Sequence, residues 1–402
     1  MPYTTQRRSS SNFSRGRSFG GQSSRPAKRK FAKQYINPSR FIRAAQPVKE
    51  IDTFVPLHKF TDFALETLLQ KNLEAKGYEI PSPIQDQAIP LGLSGHDIVG
   101  IANTGTGKTA AFALPMLQRL LTEPDAKALI LAPTRELAQQ IEDECRQLAK
   151  ASGLFRAVLI GGEAIGPQLR DLRQMPSIVI GTPGRIKDHM ERGSLDLSDF
   201  NIITLDEVDR MLDMGFIADI RFILDNLAPK RQSFFFSATL DGKIEDLIRT
   251  FLDNPTVISV KTGETSDNVD QNIIRYTSES DRIEKLHEIL NQEQVGKTLI
   301  FDETQRSVER LSEELLSRGF KVDSIHGGKT QGQRQRALKH FKASNLNVLV
   351  ATDVAARGID ISDVTHVINY STPQTYEDYV HRIGRAGRAG KMGFALTFIG
   401  RE

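Results

Sequence analysis

Cysteine and long apolar runs are both scarce in this 402-residue chain. The only cysteine is Cys145, so the chain cannot form an internal disulfide or a zinc cluster of cysteines. Cys145 falls in step with Leu137, Ile141 and Leu148 on one helical face, which is typical of a packed core residue. No apolar run approaches the length of a membrane-spanning helix. We therefore expect a soluble protein of the reducing cytoplasm, with no membrane contact.

Acidic residues are missing from the first 49 positions. Those positions carry twelve Lys or Arg, which leaves 41 basic and 50 acidic residues in the rest, so a segment of +12 precedes a body of −9. Its Ser/Gly/Arg-rich start, with Phe13 and Phe19 interleaved, predicts a disordered tail that binds phosphates by counterion release and bases by stacking. A transit peptide and a merely solvating tail are the alternatives. The more apolar residues 31–44 could dock on the body or on a partner.

Strand-like and helix-like patterns alternate twice along the remaining chain. This alternation predicts an α/β fold with two parallel sheets, each covered by helices. The strand candidates are residues 97–102, 128–132, 157–160, 177–180, 202–205 and 233–236, followed by 298–301, 321–325, 348–351, 366–369 and 394–399. A polar stretch at residues 260–270 separates the two sets. We therefore predict a tail at residues 1–50, a first domain at 51–260 and a second domain at 261–402.

A phosphate-binding loop is indicated by the sequence ANTGTGKT at residues 102–109, between a predicted strand and a predicted helix. Gly105 and Gly107 allow backbone N–H groups to face a polyphosphate, Lys108 can reach its outer oxygens, and the Thr109 hydroxyl can bind Mg²⁺. Two further G-K-T triplets, at residues 296–298 and 328–330, lack this context. The first leads into a strand, and no aspartate-ended strand accompanies the second.

Carboxylates follow the predicted strand at residues 202–205, in the sequence Asp206-Glu207-Val208-Asp209. At this edge of a parallel sheet, Asp206 could hold Mg²⁺ through water and Glu207 could orient and deprotonate an attacking water. An acidic helix start is the alternative interpretation. The next strand runs into Ser237-Ala238-Thr239, and this order of loop, acidic strand end and hydroxyl strand end favours a nucleotide hydrolase.

With these motifs in place, nearly everything from Phe60 to Ile399 resembles the DEAD-box RNA helicases of helicase superfamily two. The motifs that carry the resemblance are GYEIPSPIQ (77–85), the phosphate loop, PTREL (133–137), GG (161–162), TPGR (182–185), DEVD (206–209), SAT (237–239), Phe301 with Thr304, HGG (326–328), QGQR (331–334), ATDVAARGID (351–360) and HRIGRAGR (381–388). Val208 stands where the family has Ala. The resemblance implies two tandem RecA-like domains, with the family's Q motif at about 58–86.

The resemblance also implies ATP, Mg²⁺ and RNA as ligands, with roles for particular residues. For ATP it implies stacking by Phe60, adenine recognition by Gln85, phosphate binding by residues Thr104, Gly105, Thr106, Gly107, Lys108 and Thr109, and ribose binding by Asp360. Arg385 and Arg388 would neutralise transition-state charge. The RNA backbone would be bound by Pro133, Thr134, Arg135, Gly162, Thr182, Arg185, Thr304, Gly328, Arg334 and Thr352. Coupling would fall to Asp209, Ser237, Thr239 and His381.

Two functions are compatible with all of these motifs. One is an RNA-stimulated ATPase that unwinds short RNA duplexes or remodels RNA–protein complexes when its two domains close. The other is an ATP-gated RNA clamp that serves as an assembly platform. A DNA helicase is disfavoured by the Q motif and by DEVD. We expect a monomer that binds RNA without sequence specificity, since backbone contacts do not read bases.

Overall fold

The computed structural model describes residues 36–45, 54–103, 105–260, 268–356, 363–387 and 391–401. The predictions for residues 1–35, Thr104, Asp360 and Arg388 lie outside these ranges. So does most of the predicted boundary between the two domains. The boundary positions therefore stay predictions.

The first domain is built on a seven-stranded sheet in which all neighbouring strands are parallel. Its strands are β1 (Ile98–Ile101), β2 (Ala128–Leu131), β3 (Arg156–Leu159), β4 (Ile178–Gly181), β5 (Ile202–Leu205), β6 (Gln232–Ser237) and β7 (Thr256–Ser259). The order across the sheet is β3-β4-β2-β5-β6-β1-β7. The helices are α1 (Thr67–Ala75), α2 (Pro83–Leu93), α3 (Lys108–Thr122), α4 (Arg135–Leu148), α5 (Ile165–Leu172), α6 (Pro183–Glu191), α7 (Val208–Asp213), α8 (Ile217–Asp225) and α9 (Gly242–Phe251).

The second domain repeats this plan with a six-stranded parallel sheet. Its strands are β8 (Val269–Tyr276), β9 (Thr298–Phe301), β10 (Val322–Ile325), β11 (Val348–Ala351), β12 (His366–Asn369) and β13 (Gly393–Gly400), in the order β10-β11-β9-β12-β13-β8. The helices are α10 (Glu279–Leu290), α11 (Gln305–Ser317), α12 (Gln331–Lys342), α13 (Asp353–Ala356) and α14 (Tyr376–Ile383). Short 3-10 helices lie at Pro38–Phe41 and Phe60–Asp62.

The predicted fold class, two parallel-sheet α/β domains, is confirmed. Each predicted strand is present within one or two residues of its expected bounds, because strands buried on both faces read as continuous apolar runs. Two edge strands were not predicted. β7 buries only one of its four residues, and β8 buries only Val269 and Gln271 of its eight. β8 also begins at Val269, inside the stretch 260–270 that was predicted to separate the domains.

Residues 36–45 correct the predicted tail. They were placed in a disordered segment, with docking on the body or on a partner left open, but they are part of the folded body. Phe41 is 0% exposed and belongs to the apolar core of the second domain. Arg43 forms an isolated antiparallel bridge with Gln271 of β8. The segment therefore docks on the second domain, although it precedes the first domain in the sequence.

The strand order decides which loops come together. β5, β6 and β1 are neighbours in the first sheet, so the segments that follow them emerge side by side at one edge. These are the phosphate loop, the DEVD segment and the SAT segment. Ligands of open α/β sheets bind at the carboxyl ends of the strands. Apolar clusters on both faces hold this sheet in place, and Cys145 is buried in one of them, as predicted.

Candidate active site

The phosphate loop has the backbone shape that its glycines predict. Gly105 and Gly107 have φ values of 84° and 90°, a left-handed conformation that glycine adopts without a steric penalty. A Cβ added to Gly107 would collide with Gln85 Nε2. Lys108 begins α3, and its Nζ donates to the carbonyl oxygen of Ala102 at 3.0 Å. The lysine is therefore held over the loop, where a polyphosphate would contact it.

Two residues of the predicted Q motif support this loop from behind. Ser82 Oγ donates to the Thr106 carbonyl at 2.7 Å, and Gln85 Nε2 donates to the Gly107 carbonyl at 3.1 Å. The two also form a capping box at the start of α2, in which Gln85 Oε1 accepts from Ser82 N–H at 2.9 Å. Ser82 was missed in the sequence, although the pattern Ser-x-x-Gln before an apolar run is a recognised capping signal.

Phe60 lies in the core and does not line the cavity described below. Its ring is 2% exposed and packs edge-on against Phe63 and Tyr78, with ring centroids 5.7 and 5.1 Å away. An adenine could stack on this ring only after a covering side chain moved. The spacing between Phe60 and Gly77 predicted a base-stacking role, whereas burial favours the simpler interpretation as a packing residue.

The two carboxylates after β5 have different surroundings. Asp206 Oδ1 accepts from the Glu207 N–H at 2.9 Å, and burial together with the Glu207 charge raises the Asp206 pKa to about 6 against the opposing effect of Lys108. Burial alone would also raise the Glu207 pKa. Arg210, whose Nη1 donates to Glu207 Oε2 at 2.5 Å, outweighs burial with help from Lys108 and Arg385, so the Glu207 pKa is lowered. Glu207 is therefore ionised at neutral pH and free to accept a hydrogen bond from water, although its lowered pKa makes it a weaker proton acceptor than Asp206.

Asp209 links the DEVD segment to the SAT segment. Its Oδ2 accepts from the Ala238 N–H at 3.0 Å, and its own N–H donates to Ser237 Oγ at 3.4 Å. Val208, which precedes Asp209, is fully buried in the apolar cluster under the sheet. Its side chain is larger than the alanine that the family has at this position, but the core accommodates it, so it does not enter the site.

A cavity of about 440 Å³ brings residues of both domains together. Its lining includes Gly105, Gly107, Lys108, Thr109, Asp206, Glu207 and, from the second domain, Arg385. An adjoining cavity of about 140 Å³ is lined by Asp209, Thr239 and His381 as well as by Lys108, Glu207 and Arg385. Most of the predicted catalytic and coupling residues therefore face shared spaces. Arg210 is a further residue at this site, with only its three-residue spacing from Glu207 as a sequence signal.

The residues predicted to contact RNA lie after strands at the same sheet edges. Pro133, Gly162 and Thr182 follow β2, β3 and β4. Arg135 lies over Gly162, where an added Cβ would collide with Arg135 Nη1. Arg185 Nη1 donates to Gln168 Oε1 at 3.2 Å.

Their counterparts in the second domain are arranged in the same way. Thr304, Gly328 and Thr352 follow β9, β10 and β11. Thr304 caps α11, as Thr134 caps α4 in the first domain, each through a hydroxyl that accepts a backbone N–H. Each domain thus carries a row of hydroxyl, glycine and basic positions along one sheet edge.

Arg334, which was predicted to bind the RNA backbone, lies between the two domains. Its guanidinium is buried, and Nη2 lies 2.9 Å from Oε2 of Glu136 in α4 of the first domain. Gln331 Nε2 donates to the other Glu136 oxygen at 3.2 Å. Arg334 therefore joins the two domains through an ion pair, and its contact with RNA stays a prediction. Glu136 and Gln331 lie in motifs that were recognised, but their partnership needs the two domains side by side.

The two additional G-K-T triplets are explained by ion pairs. Lys297 Nζ lies 2.6 Å from Asp363 Oδ2, and Lys329 Nζ lies 2.9 Å from Asp323 Oδ1. Both lysines thus have carboxylate partners within the second domain.

Arg382 is a structural residue that sequence reasoning missed. It pairs with Asp353 at 2.6 Å and donates to the Ser371 carbonyl at 2.7 Å, which fixes α14 beside α13.

Family models and related proteins that match this chain identify its family. Its residues 82–247 match the family model of the DEAD/DEAH box helicases, and residues 281–390 match that of the helicase conserved C-terminal domain. The chain is 44% identical over 341 residues to proteins named DEAD-box ATP-dependent RNA helicase CshA from Bacillus licheniformis and Bacillus subtilis. The match covers 85% of this chain and 70% and 69% of those proteins.

Within the described ranges, none of the helices combines the length and apolar content needed to cross a bilayer.

Solved structures agree with this assignment. Saccharomyces cerevisiae Dbp5 bound to RNA and ADP BeF3 superposes with a TM-score of 0.75 at 30% identity, over 85% of this chain and 90% of that one. A DEAD box protein from Methanococcus jannaschii gives a TM-score of 0.51 at 39% identity, over 85% and 93% of the two chains. The protein belongs to the DEAD-box family of ATP-dependent RNA helicases.

Proposed function

We propose that this protein couples RNA binding to ATP hydrolysis in the cavity between its two domains and uses the cycle to open short RNA duplexes. The observation that carries the proposal is the joint lining of that cavity by Lys108, Asp206 and Glu207 of the first domain and Arg385 of the second. An ATPase assembled from two domains is active only when they close.

The residues of the cavity divide the chemistry among them. The loop N–H groups and Lys108 bind the phosphates. Glu207, whose lowered pKa keeps it ionised at neutral pH, accepts a proton from the attacking water, and Arg210 holds its carboxylate in place. Arg385 faces the charge that develops on the transferred phosphoryl group, and such a cation is worth about three to five orders of magnitude in related phosphoryl transfers.

The site also fits Mg²⁺ bound mainly through nucleotide and water. Among the described residues no group of three or more His, Cys, Asp or Glu side chains forms a dedicated metal cage, which agrees with the habit of Mg²⁺ of using one carboxylate plus substrate phosphates. Thr109 and the buried Asp206 line the cavity together, and they would hold the ion. When bound, it would neutralise phosphate charge.

RNA would lie along the two rows of residues that follow β2, β3 and β4 in one domain and β9, β10 and β11 in the other. Contacts of this kind are to phosphate and sugar, so they carry no sequence information and can sense the 2′-hydroxyl. The stronger likeness to the RNA-bound Dbp5 structure, despite its lower identity, supports a closed arrangement of the domains. A strand gripped by both domains is bent, and bending disfavours pairing.

The test is to measure ATP hydrolysis and strand separation with matched RNA and DNA substrates. We expect single-stranded RNA to stimulate hydrolysis and the DNA of the same sequence to stimulate it far less. Short RNA duplexes should separate in the presence of ATP. Hydrolysis that is equally stimulated by DNA would contradict the RNA assignment. RNA-dependent hydrolysis without strand separation would instead identify an ATP-gated clamp.

A further inference from the structure

Residues 36–45, which we call the N-terminal strap, cross from the start of the chain to the second domain. They precede the whole first domain in sequence, yet their contacts are with α14 and β8. Phe41 is the centre of these contacts: it is 0% exposed, and its ring lies 4.7 Å from that of Tyr379. The neighbouring Arg40 guanidinium lies 3.6 Å from the ring centroid of Tyr376, a cation–π distance. Both tyrosines belong to α14.

The strap also pairs with the sheet of the second domain through its backbone. Arg43 N–H donates to the Gln271 carbonyl at 3.0 Å, and Gln271 N–H donates to the Arg43 carbonyl at 2.8 Å. Tyr379 Oη donates to Gln271 Oε1 at 3.0 Å, so the same glutamine joins strap, strand and helix. β8 is an edge strand, and an exposed edge can recruit another strand by backbone pairing. Here this chain's own strap occupies that position.

This docking gives the protein two connections between its domains. One is the chain between β7 and β8, and the other is residues 46–53 between the strap and the first domain. Nine peptide steps from Ala45 to Phe54 span at most about 30 Å when fully extended. While the strap stays docked, the domains cannot open beyond that reach. A short tether also raises the effective concentration of one domain near the other.

The strap also packs against α14, the helix that contains His381 and ends just before Arg385. Tyr376 and Tyr379 lie on α14 just before His381, and Arg385 follows the end of the same helix. Arg385 and His381 line the cavities shared with Glu207. Displacing Phe41 would leave an unfilled space under α14, and neighbouring side chains relax only partly into such a space.

We propose that the N-terminal strap is a second interdomain tether that holds α14 in position and limits domain opening, so that closure on RNA is faster and more frequent. This proposal rests on the proposed function for its kinetic consequence but not for its docking. The occupant of the α14–β8 surface is residues 36–45 of the same chain.

Docking is tested by hydrogen exchange on the full-length protein, with two adjacent substitutions. Phe41→Ala removes the buried ring, whereas Ile42→Ala changes its neighbour, which is 53% exposed. We expect exchange at the Gln271 amide to speed up by at least about a hundredfold in Phe41→Ala and to stay unchanged in Ile42→Ala. Equal exchange in both variants would overturn the docking. Since this readout needs neither ATP nor RNA, it is independent of the proposed function.

The tether is tested by single-molecule fluorescence transfer between labels on the two domains. The chain's one native cysteine is buried, so exposed positions can be labelled as Met175→Cys and Leu316→Cys. Phe41→Ala should widen the distance distribution without ligands and lower the RNA-stimulated turnover about fivefold, a typical coupling factor. Ile42→Ala should match the parent protein. If the distribution and turnover of Phe41→Ala are unchanged, the strap docks but is not a tether.

Discussion

Lys108 and Glu207 line the same cavity but act on different parts of ATP. Glu207→Gln should lower RNA-stimulated hydrolysis by at least about a hundredfold, the range for loss of a general base, and should leave ATP binding intact. Its amide oxygen can still accept from Arg210 Nη1, so the fold is preserved. Lys108→Ala should lose ATP affinity as well as turnover. Hydrolysis rates and nucleotide titrations separate the two effects, with the exposed Glu191→Gln as control.

A Glu207→Gln protein that turns over ATP at the parental rate would show that another group activates the water. The fluorescence-transfer distribution gives a second readout for the same variant. With ATP and RNA it should stay in the closed state, because the step that resets the cycle has been removed.

Arg385 provides a charge from the second domain that ATP meets only after closure. Arg385→Ala should reduce the RNA-stimulated rate by about two orders of magnitude or more, since the cation stabilises the transition state. ATP affinity of the open protein should change little. Arg249→Ala, whose side chain is 79% exposed, is the matched control for loss of an arginine. Equal losses of ATP affinity and turnover would indicate that Arg385 binds the ground state instead.

The local motifs identified many of the residues that line the cavity. They did not identify the contacts that hold those residues in place. Lys108, Asp206 and Glu207 could be found because each follows a strand in a recognisable segment of the sequence. Ion pairs such as Arg334 with Glu136 join residues that are nearly two hundred positions apart, and no local pattern encodes such a partner. For Phe60 the motif spacing predicts base stacking, whereas the structure buries its ring against Phe63 and Tyr78, so the stacking role stays a prediction.

Among the elements, β12 and β13 contain a pH-sensitive contact. His366 is buried and stacks on Phe394 at 4.8 Å, and burial lowers its pKa from 6.5 to about 4. The unfolded chain takes up this proton at higher pH than the folded protein does. The stabilisation is therefore fully present above about pH 6.5 and is lost as the pH falls toward 4, by up to about 3 kcal/mol at 1.36 kcal/mol per pKa unit.

His366→Gln should flatten this part of the stability profile, as measured by urea unfolding between pH 7.5 and pH 4. The exposed His340→Gln controls for the loss of a histidine from the same domain. If both variants keep the parental slope below pH 6.5, the acid sensitivity arises elsewhere in the fold.

Strand prediction succeeded where burial on both faces made the sequence continuously apolar, and it failed at two of the four edge strands, β7 and β8. β7 leaves Val257 more than half exposed, and six of the eight residues of β8 are exposed or only partly buried. An edge strand has a neighbour on one side only, so its sequence need not be continuously apolar. For the strap, the apolar residues 31–44 suggested docking, but the backbone bridge of Arg43 to Gln271 has no sequence signal that would identify β8 as the partner.

At the scale of the whole molecule, the ion pair between Glu136 and Arg334 is a candidate for the interaction that favours closure. Removing one partner of a buried pair leaves the other charge uncompensated, which typically costs about 3–5 kcal/mol. Arg334→Gln should therefore weaken RNA binding in the presence of an ATP analogue. Adding Glu136→Gln should restore part of the loss, with a coupling energy of about 1 kcal/mol or more. Strictly additive effects in the four proteins would show that the pair does not contribute to closure.

The basic N-terminal segment is best tested by a deletion that ends before the strap. Removing residues 1–35 takes away nine Lys or Arg and no acid, which leaves 44 basic and 50 acidic residues. RNA affinity should fall, and the log–log salt slope should flatten by about 0.7 for each phosphate of the single strand that the shortened protein no longer neutralises. The maximal ATPase rate at saturating RNA should stay the same, since the strap and the described part of the cavity are retained. Deleting residues 1–45 should lower that rate as well, because it also removes Phe41 from beneath α14. An unchanged affinity and salt slope after the shorter deletion would show that the first 35 residues do not bind RNA.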